Sequence, residues 1–156
     1  MAGCDSPALE RVLALLGTMG TVMRAGPLGA GHAIKALNNY VSAAGLVAAC
    51  EAVQAARRFG LDPATAVEII DASTGMNNST RNKLRQFVLS ESYADGFALA
   101  LMAKDLRTAL EVARACGAPT ALAAPLVELW NAAERELEPG ANHTEIARWL
   151  DRQSGA

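Results

Sequence analysis

Apolar residues recur at helical spacing along most of the chain. Leu9, Val12, Leu13 and Leu16 give one stripe, with Ser6 placed to cap it, Pro7 in the first turn, and Gly17 and Gly20 ending it. Thr21-Val22-Met23 reads equally as a strand or an extended crossing, and Gly26-Pro27 marks a turn. From Gly29 to Phe59 there is no proline and, past the opening Gly29-Ala30-Gly31, one interior glycine, Gly45, so the spacing predicts a single long helix. It is apolar on nearly every face from Val41 to Cys50, which places it at the enclosed centre of the domain. Gly60 stands where a helix-ending glycine belongs.

Shorter helices follow over Pro63–Ala72, with Asp62 as cap, and over Thr80–Leu89, separated by the polar loop Ser73–Ser79. Asp95-Gly96 is a turn, Phe97–Cys116 a long helix closed by Gly117, and Pro119–Leu137 another closed by Pro139-Gly140. A last short helix reaches Gln153, capped by Asn142 or Thr144. The expected fold class is all-α: a bundle around one long central helix, with a small N-terminal appendage.

Composition sharpens this picture. The 156 residues are 51% hydrophobic but only 4% aromatic, and alanine and leucine dominate, which suits closely packed helices better than strands. A net charge of −2 without a dense Lys/Arg cluster argues against a nucleic-acid surface. Cys4, Cys50 and Cys116 give neither a disulfide framework nor metal-ligand spacing. Cys50 and Cys116 read as small core residues, and a reducing cytoplasm is the default setting. Residues 1–7 lack the basic-then-apolar pattern of a secretory signal, and the uncharged run Ala36–Cys50 is too short and too polar to span a bilayer.

Few residues could carry chemistry. Lys35 and Asn39 share a face early on the long helix, with His32 bordering the stripe. A lysine entering a buried stretch needs a partner or a polar cavity, and burial would lower its pKa toward the range useful for proton transfer. The competing reading is a lysine snorkelling beside the glycine turn. Phe97, Leu101 and Lys104 occupy neighbouring positions on a second helix, where Lys104-Asp105 alone reads as a solvated pair on the outer face. Gly29 and Gly31 open a helix, as anion-binding loops do, but Ile34 stands where a dinucleotide fingerprint needs its third glycine. These glycines are better explained as a sharp turn that lets Lys35 project. His143 and Glu145 read as surface cap geometry, and Trp130 and Trp149 as packing or interface residues.

Taken together, Gly26-Pro27-Leu28-Gly29-Ala30-Gly31, Lys35 and Asn38-Asn39, then Glu51-Ala52, Ser73-Thr74-Gly75, and Phe97 with Lys104-Asp105-Leu106 resemble the 3-hydroxyisobutyrate dehydrogenase-like (β-hydroxyacid dehydrogenase) family. The order and spacing agree from about Gly26 to Ala147. The resemblance implies a C-terminal helical domain of the 6-phosphogluconate dehydrogenase C-terminal-like kind at 26–156, for substrate binding and dimerisation. It reads 1–25 as the end of a Rossmann dinucleotide-binding domain, although Cys4 stands where the family usually has glycine. Asn142 likewise replaces the family's terminal aspartate. The implied activity is hydride transfer between a small β-hydroxyacid and its semialdehyde with NAD or NADP. Lys35 would be the catalytic acid/base and Asn39 would bind substrate. Phe97, Lys104 and Asp105 would lie at the cofactor, and two copies would form a homodimer. Without a glycine-rich cofactor loop the chain alone is expected to be inactive. The alternative expectation is a helical dimerisation module with no chemistry of its own, and a third is a regulatory domain that binds a small acid.

Overall fold

The computed structural model describes residues 1–5 and 9–153. The expected cap at Ser6-Pro7 lies outside them. Two short strands and seven α-helices follow in the order β1 (Ala2–Gly3), α1 (Leu9–Gly17), β2 (Arg24–Gly26), α2 (Ala30–Phe59), α3 (Pro63–Asp71), α4 (Asn78–Asn82), α5 (Leu99–Ala115), α6 (Ala123–Glu136) and α7 (Ile146–Gln153). A π-helical turn, Leu84–Val88, follows α4, and a 3-10 turn, His143–Glu145, precedes α7. The protein is therefore mostly helical, as its alanine- and leucine-rich composition requires.

Helix α2 is the axis. Gly29 and Gly60 bound it in left-handed conformations, with φ of 88° and 99°. The Gly60 and Leu61 amides close its last carbonyls, at Arg57 and Ala56. Ala43, Leu46, Val47, Ala49, Cys50 and Val53 are buried, and the helix packs most extensively on α5, which in turn packs on α6. The core continues through Leu106, Trp130 and Ile146. Both tryptophans are buried packing residues; the Trp149 indole donates to Glu136 at 2.8 Å. Gly45 faces Asn77, whose carboxamide would lie in ordinary van der Waals contact, 3.4 Å, with a Cβ there, and Asn77 caps α4 through the Ser79 and Thr80 amides.

Several local expectations need correction. Of the two readings of Thr21–Met23 the strand is not formed; the residues that pair in parallel with Ala2–Gly3 are the next ones, Arg24–Gly26. Helix 80–89 does not exist as one element. The backbone leaves helical geometry at Lys83 (φ −124°, ψ −48°), and the π-helical turn takes over. The helix expected at Phe97 begins at Leu99, because Phe97 and Ala98 pair instead with the 141–143 segment; the Phe97 carbonyl accepts the His143 amide at 2.8 Å. Helix α6 begins four residues later than its proline suggested, at Ala123. Cys116 is exposed, since α5 ends beneath it; only Cys50 is a core thiol, pushed up to about 12 by burial and by Glu51.

Candidate functional site

Positions 35, 39 and 42 fall within one face of α2 by helical period. The first two converge on the same acceptor. The Lys35 ammonium pairs with Asp105 Oδ2, and Asn39 Nδ2 donates to that same oxygen at 2.7 Å. Asp105 reaches them from α5, where the tight α2–α5 packing buries its side chain to 6% exposure. On its other side Lys104 Nζ lies 3.7 Å from Oδ1. Burial alone would push the Asp105 carboxyl up. The hydrogen bonds from Lys35 and Asn39, together with the charges of Lys35 and Lys104, outweigh that and hold it below its usual value.

This geometry revises the sequence reading in two ways. Asp105 is not half of a solvated pair on an outer face; it is the buried hub, and only Lys104, at 62% exposure, faces solvent. Lys35 is not a buried lysine, being 49% exposed, so its placement rests on the ion pair rather than on desolvation. The glycine run before it serves the fold. Gly26 and Gly29 make the turn with positive φ, while a Cβ on Gly31 would come within 2.9 Å of the Met1 carbonyl.

Phe97 stands apart from this cluster, two turns before Asp105. Its ring meets the His143 imidazole edge-on, with centroids 5.5 Å apart and planes at 83°. His143 is no surface cap: it is 2% exposed. Asn142 caps the turn instead, in a reciprocal arrangement with Glu145. His143 Nδ1 lies 2.7 Å from Asp95 Oδ2, and Nε2 lies 2.9 Å from Lys83 Nζ. The carboxylate assigns the proton to Nδ1, so Nε2 accepts from Lys83. Burial and the Lys83 charge push the imidazole pKa down, against the opposing pull of Asp95 and the Phe97 carbonyl. Burial also pushes Lys83 down, opposed by Asp95. Lys83, Asp95 and His143 are polar residues whose joint role the sequence reading missed. The lysine that comes nearest its criterion, half-buried and with its pKa lowered by that burial, is Lys83.

Two cavities, of about 390 and 500 Å³, lie elsewhere: one toward the far end of α2 near Val53, Arg57 and Tyr93, the other between β1, α1 and the start of α2. Lys35, Asn39 and Asp105 line neither. Their cluster is an open wall with two exposed ammonium groups flanking one buried carboxylate. Such a donor set suits an anionic ligand shared with a second surface.

Residues 29–150 match the family model described as NAD-binding of NADP-dependent 3-hydroxyisobutyrate dehydrogenase. The chain is 30% identical over 131 residues to 2-(hydroxymethyl)glutarate dehydrogenase of Eubacterium barkeri, covering 83% of this chain and 44% of that protein. It is 33% identical over 137 residues to NAD-dependent L-serine dehydrogenase of Pseudomonas aeruginosa, covering 83% and 46%. Among solved structures it superposes on Mycobacterium tuberculosis 3-hydroxyisobutyrate dehydrogenase with L-serine at a TM-score of 0.83 and 26% identity, over 95% of this chain and 53% of that one. The chain thus spans about half the length of the curated relatives it matches.

Proposed function

This chain belongs to the family of the NAD-binding domain of NADP-dependent 3-hydroxyisobutyrate dehydrogenase, and from that premise we propose that it forms the helical wall of the active site of a β-hydroxyacid dehydrogenase. In this proposal residues 26–156 are the substrate-binding and dimerisation domain, built as the 6-phosphogluconate dehydrogenase C-terminal-like bundle. Residues 1–25 end a dinucleotide-binding domain. The observation that supports the reading is the convergence of Lys35 and Asn39 on buried Asp105.

The substrate class is a small β-hydroxyacid or its semialdehyde. NAD or NADP, when bound, supplies the hydride acceptor or donor. The work of this chain is to place a proton donor and hold the substrate. Lys35 Nζ gives a proton to the carbonyl oxygen as that oxygen gains charge, or removes the hydroxyl proton in the reverse direction. Asp105 fixes the amine at that point, which limits the motion lost on reaching the transition state. Asn39 sits one turn further along α2 and offers its carboxamide to the substrate. Lys104, exposed but within 3.7 Å of Asp105 Oδ1, presents its ammonium to the cofactor. Phe97 forms the apolar rim, its edge-on contact with His143 fixing the ring.

The exposed donors fit such an anionic partner, but the described residues contain no glycine-rich strand–turn–helix to hold a pyrophosphate. Calorimetry on this chain alone should therefore show NAD and NADP binding weaker than micromolar, with negligible turnover of 3-hydroxyisobutyrate or L-serine. A full-length dehydrogenase carrying the domain should reduce either cofactor on at least one of these hydroxyacids. Micromolar cofactor binding by the chain alone would overturn the division of labour. No reduction by the full-length enzyme on any short 3-hydroxyacid would overturn the activity.

The second reading, a dimerisation module, draws on a different face of α2. Ile34 and Val41 are large exposed apolar residues seven positions apart, so they share a stripe. A homodimer through this stripe is proposed under either reading. Sedimentation should give twice the 16.2 kDa chain mass, and Val41→Glu should return a monomer. A wild-type monomer at high micromolar concentration would contradict it. No described helix is long and apolar enough to cross a membrane, which accords with a proposed cytoplasmic setting.

A further inference from the structure

Beyond Asn39, the same face of α2 reaches Ser42, and a second amine waits there. Lys83 Nζ lies 3.5 Å from Ser42 Oγ and donates to His143 Nε2. Behind it His143 is locked by the Asp95 carboxylate and by the Phe97 carbonyl, 3.3 Å from Nδ1. Asp95 is fixed in turn by the Thr144 hydroxyl at 3.2 Å. Four segments of chain thus combine to hold one ammonium group half-buried against α2, with the His143 ring between it and Phe97.

Such a construction exceeds what a structural tie needs. An asparagine or threonine hydroxyl would satisfy His143 Nε2 without the desolvation cost of a charged amine. An ammonium has three donors, and the described contacts use one fully and a second at the limit of hydrogen-bond length. The remaining donor has no acceptor among the described residues. The His143 contact also fixes a side chain that would otherwise lose substantial rotamer freedom on binding, so the amine is preorganised for an incoming acceptor.

We propose that Lys83 anchors a second carboxylate of the substrate, at the end remote from the reacting carbon, so that the site favours β-hydroxyacids that are dicarboxylates. The proposal rests on the reading of Lys35 and Asn39 as the substrate site. Spacing supports the class: side chains at positions 39 and 42 are roughly 5–6 Å apart at Cβ on one helical face. A short dicarboxylate chain spans that separation, whereas a monocarboxylate held at Asn39 brings no second carboxylate to the remaining Lys83 donor. The chemistry of Lys83 is recognition only. Its amine lies against Ser42, which is one turn past Asn39 and two past Lys35 on the same face of α2.

Isotope-labelled lysine side-chain NMR on this chain, titrated with glutarate and separately with isobutyrate, tests the assignment. Glutarate should shift the signals of both Lys35 and Lys83, and isobutyrate that of Lys35 alone. Lys83→Gln keeps a donor for His143 but removes the charge; it should weaken glutarate about tenfold and leave isobutyrate unchanged. Lys83→Arg should restore part of the preference. Equal responses of Lys83 to both probes, or an unchanged glutarate preference in Lys83→Gln, would overturn the proposal. A Lys35 signal silent to both probes would count against the hydroxyacid site itself, independently of what Lys83 does.

Discussion

Replacing Lys35 by alanine in a full-length dehydrogenase that carries this domain lowers kcat by about a thousandfold, inside the ~10²–10⁴ range of a positioned general acid or base. That corresponds to about 4 kcal/mol in the barrier. The expectation follows from where the amine is held. It is half-exposed on the open wall, so a substrate can reach it, yet its ion pair with Asp105 gives it one position rather than many. Substrate affinity changes far less, because Asn39, Lys83 and Lys104 still present donors. Stability also changes little. Asp105 loses one of its partners but keeps Asn39 at 2.7 Å and Lys104 at 3.7 Å, and an ion pair whose lysine is half in solvent is worth only a fraction of a buried one. Steady-state kinetics with paired thermal denaturation checks both halves of the statement. A collapse of stability alongside the activity would mean that Lys35 is structural.

The second large effect belongs to Asp105→Asn. The carboxylate oxygen that receives both Lys35 and Asn39 becomes part of a neutral amide, so the lysine loses its ion pair and Asn39 faces a possible donor–donor clash. Misplacement of a reacting group by about 1 Å can cost about a hundredfold in rate, and kcat should fall by that order. Hydrogen bonds to a charged group contribute roughly 1.5–3 kcal/mol. After discounting for the exposure of Lys35, the variant should lose about 1–2 kcal/mol of stability.

The pH dependence follows from the direction of the Asp105 shift. Its folded pKa lies below the unfolded reference of about 3.9. Its stabilising contribution is therefore fully present above that reference and disappears as pH falls through the folded value. Urea denaturation at stepped pH should show the wild-type and Asp105→Asn curves converging in acid and separating above about pH 4–5. Curves parallel down to pH 2 would contradict the assigned shift.

How much of this was legible beforehand depends on the range of the interaction. Helix α2 was readable to within one residue because its limits are local: glycines at both ends and no proline between. The cap and first turn of α3 were readable for the same reason, Asp62 accepting the Thr65 amide at 2.8 Å. The identities of Lys35 and Asn39 were legible as neighbours on one face. Their partner was not. Nothing in the spacing of Lys104-Asp105 says that Asp105, rather than Lys104, turns toward α2; that is decided by which side of α5 the bundle covers. His143 was misread for a related reason. Its burial depends on Phe97 and Asp95, nearly fifty residues earlier, whose backbone pairs with the turn before α7. The break at Lys83 shares this origin, since the amine is engaged with α2 and with that same turn instead of continuing a helical stripe.

The most direct test of the central claim is chemical rescue of the Lys35→Ala enzyme. If the Lys35 amine is the group that moves the proton, a small primary amine such as methylamine, added to the inactive variant, should restore turnover in proportion to its concentration. The same amine should leave the wild-type rate unchanged. A Lys35→Ala enzyme that turns over near the wild-type rate with no amine present would contradict the account at its root.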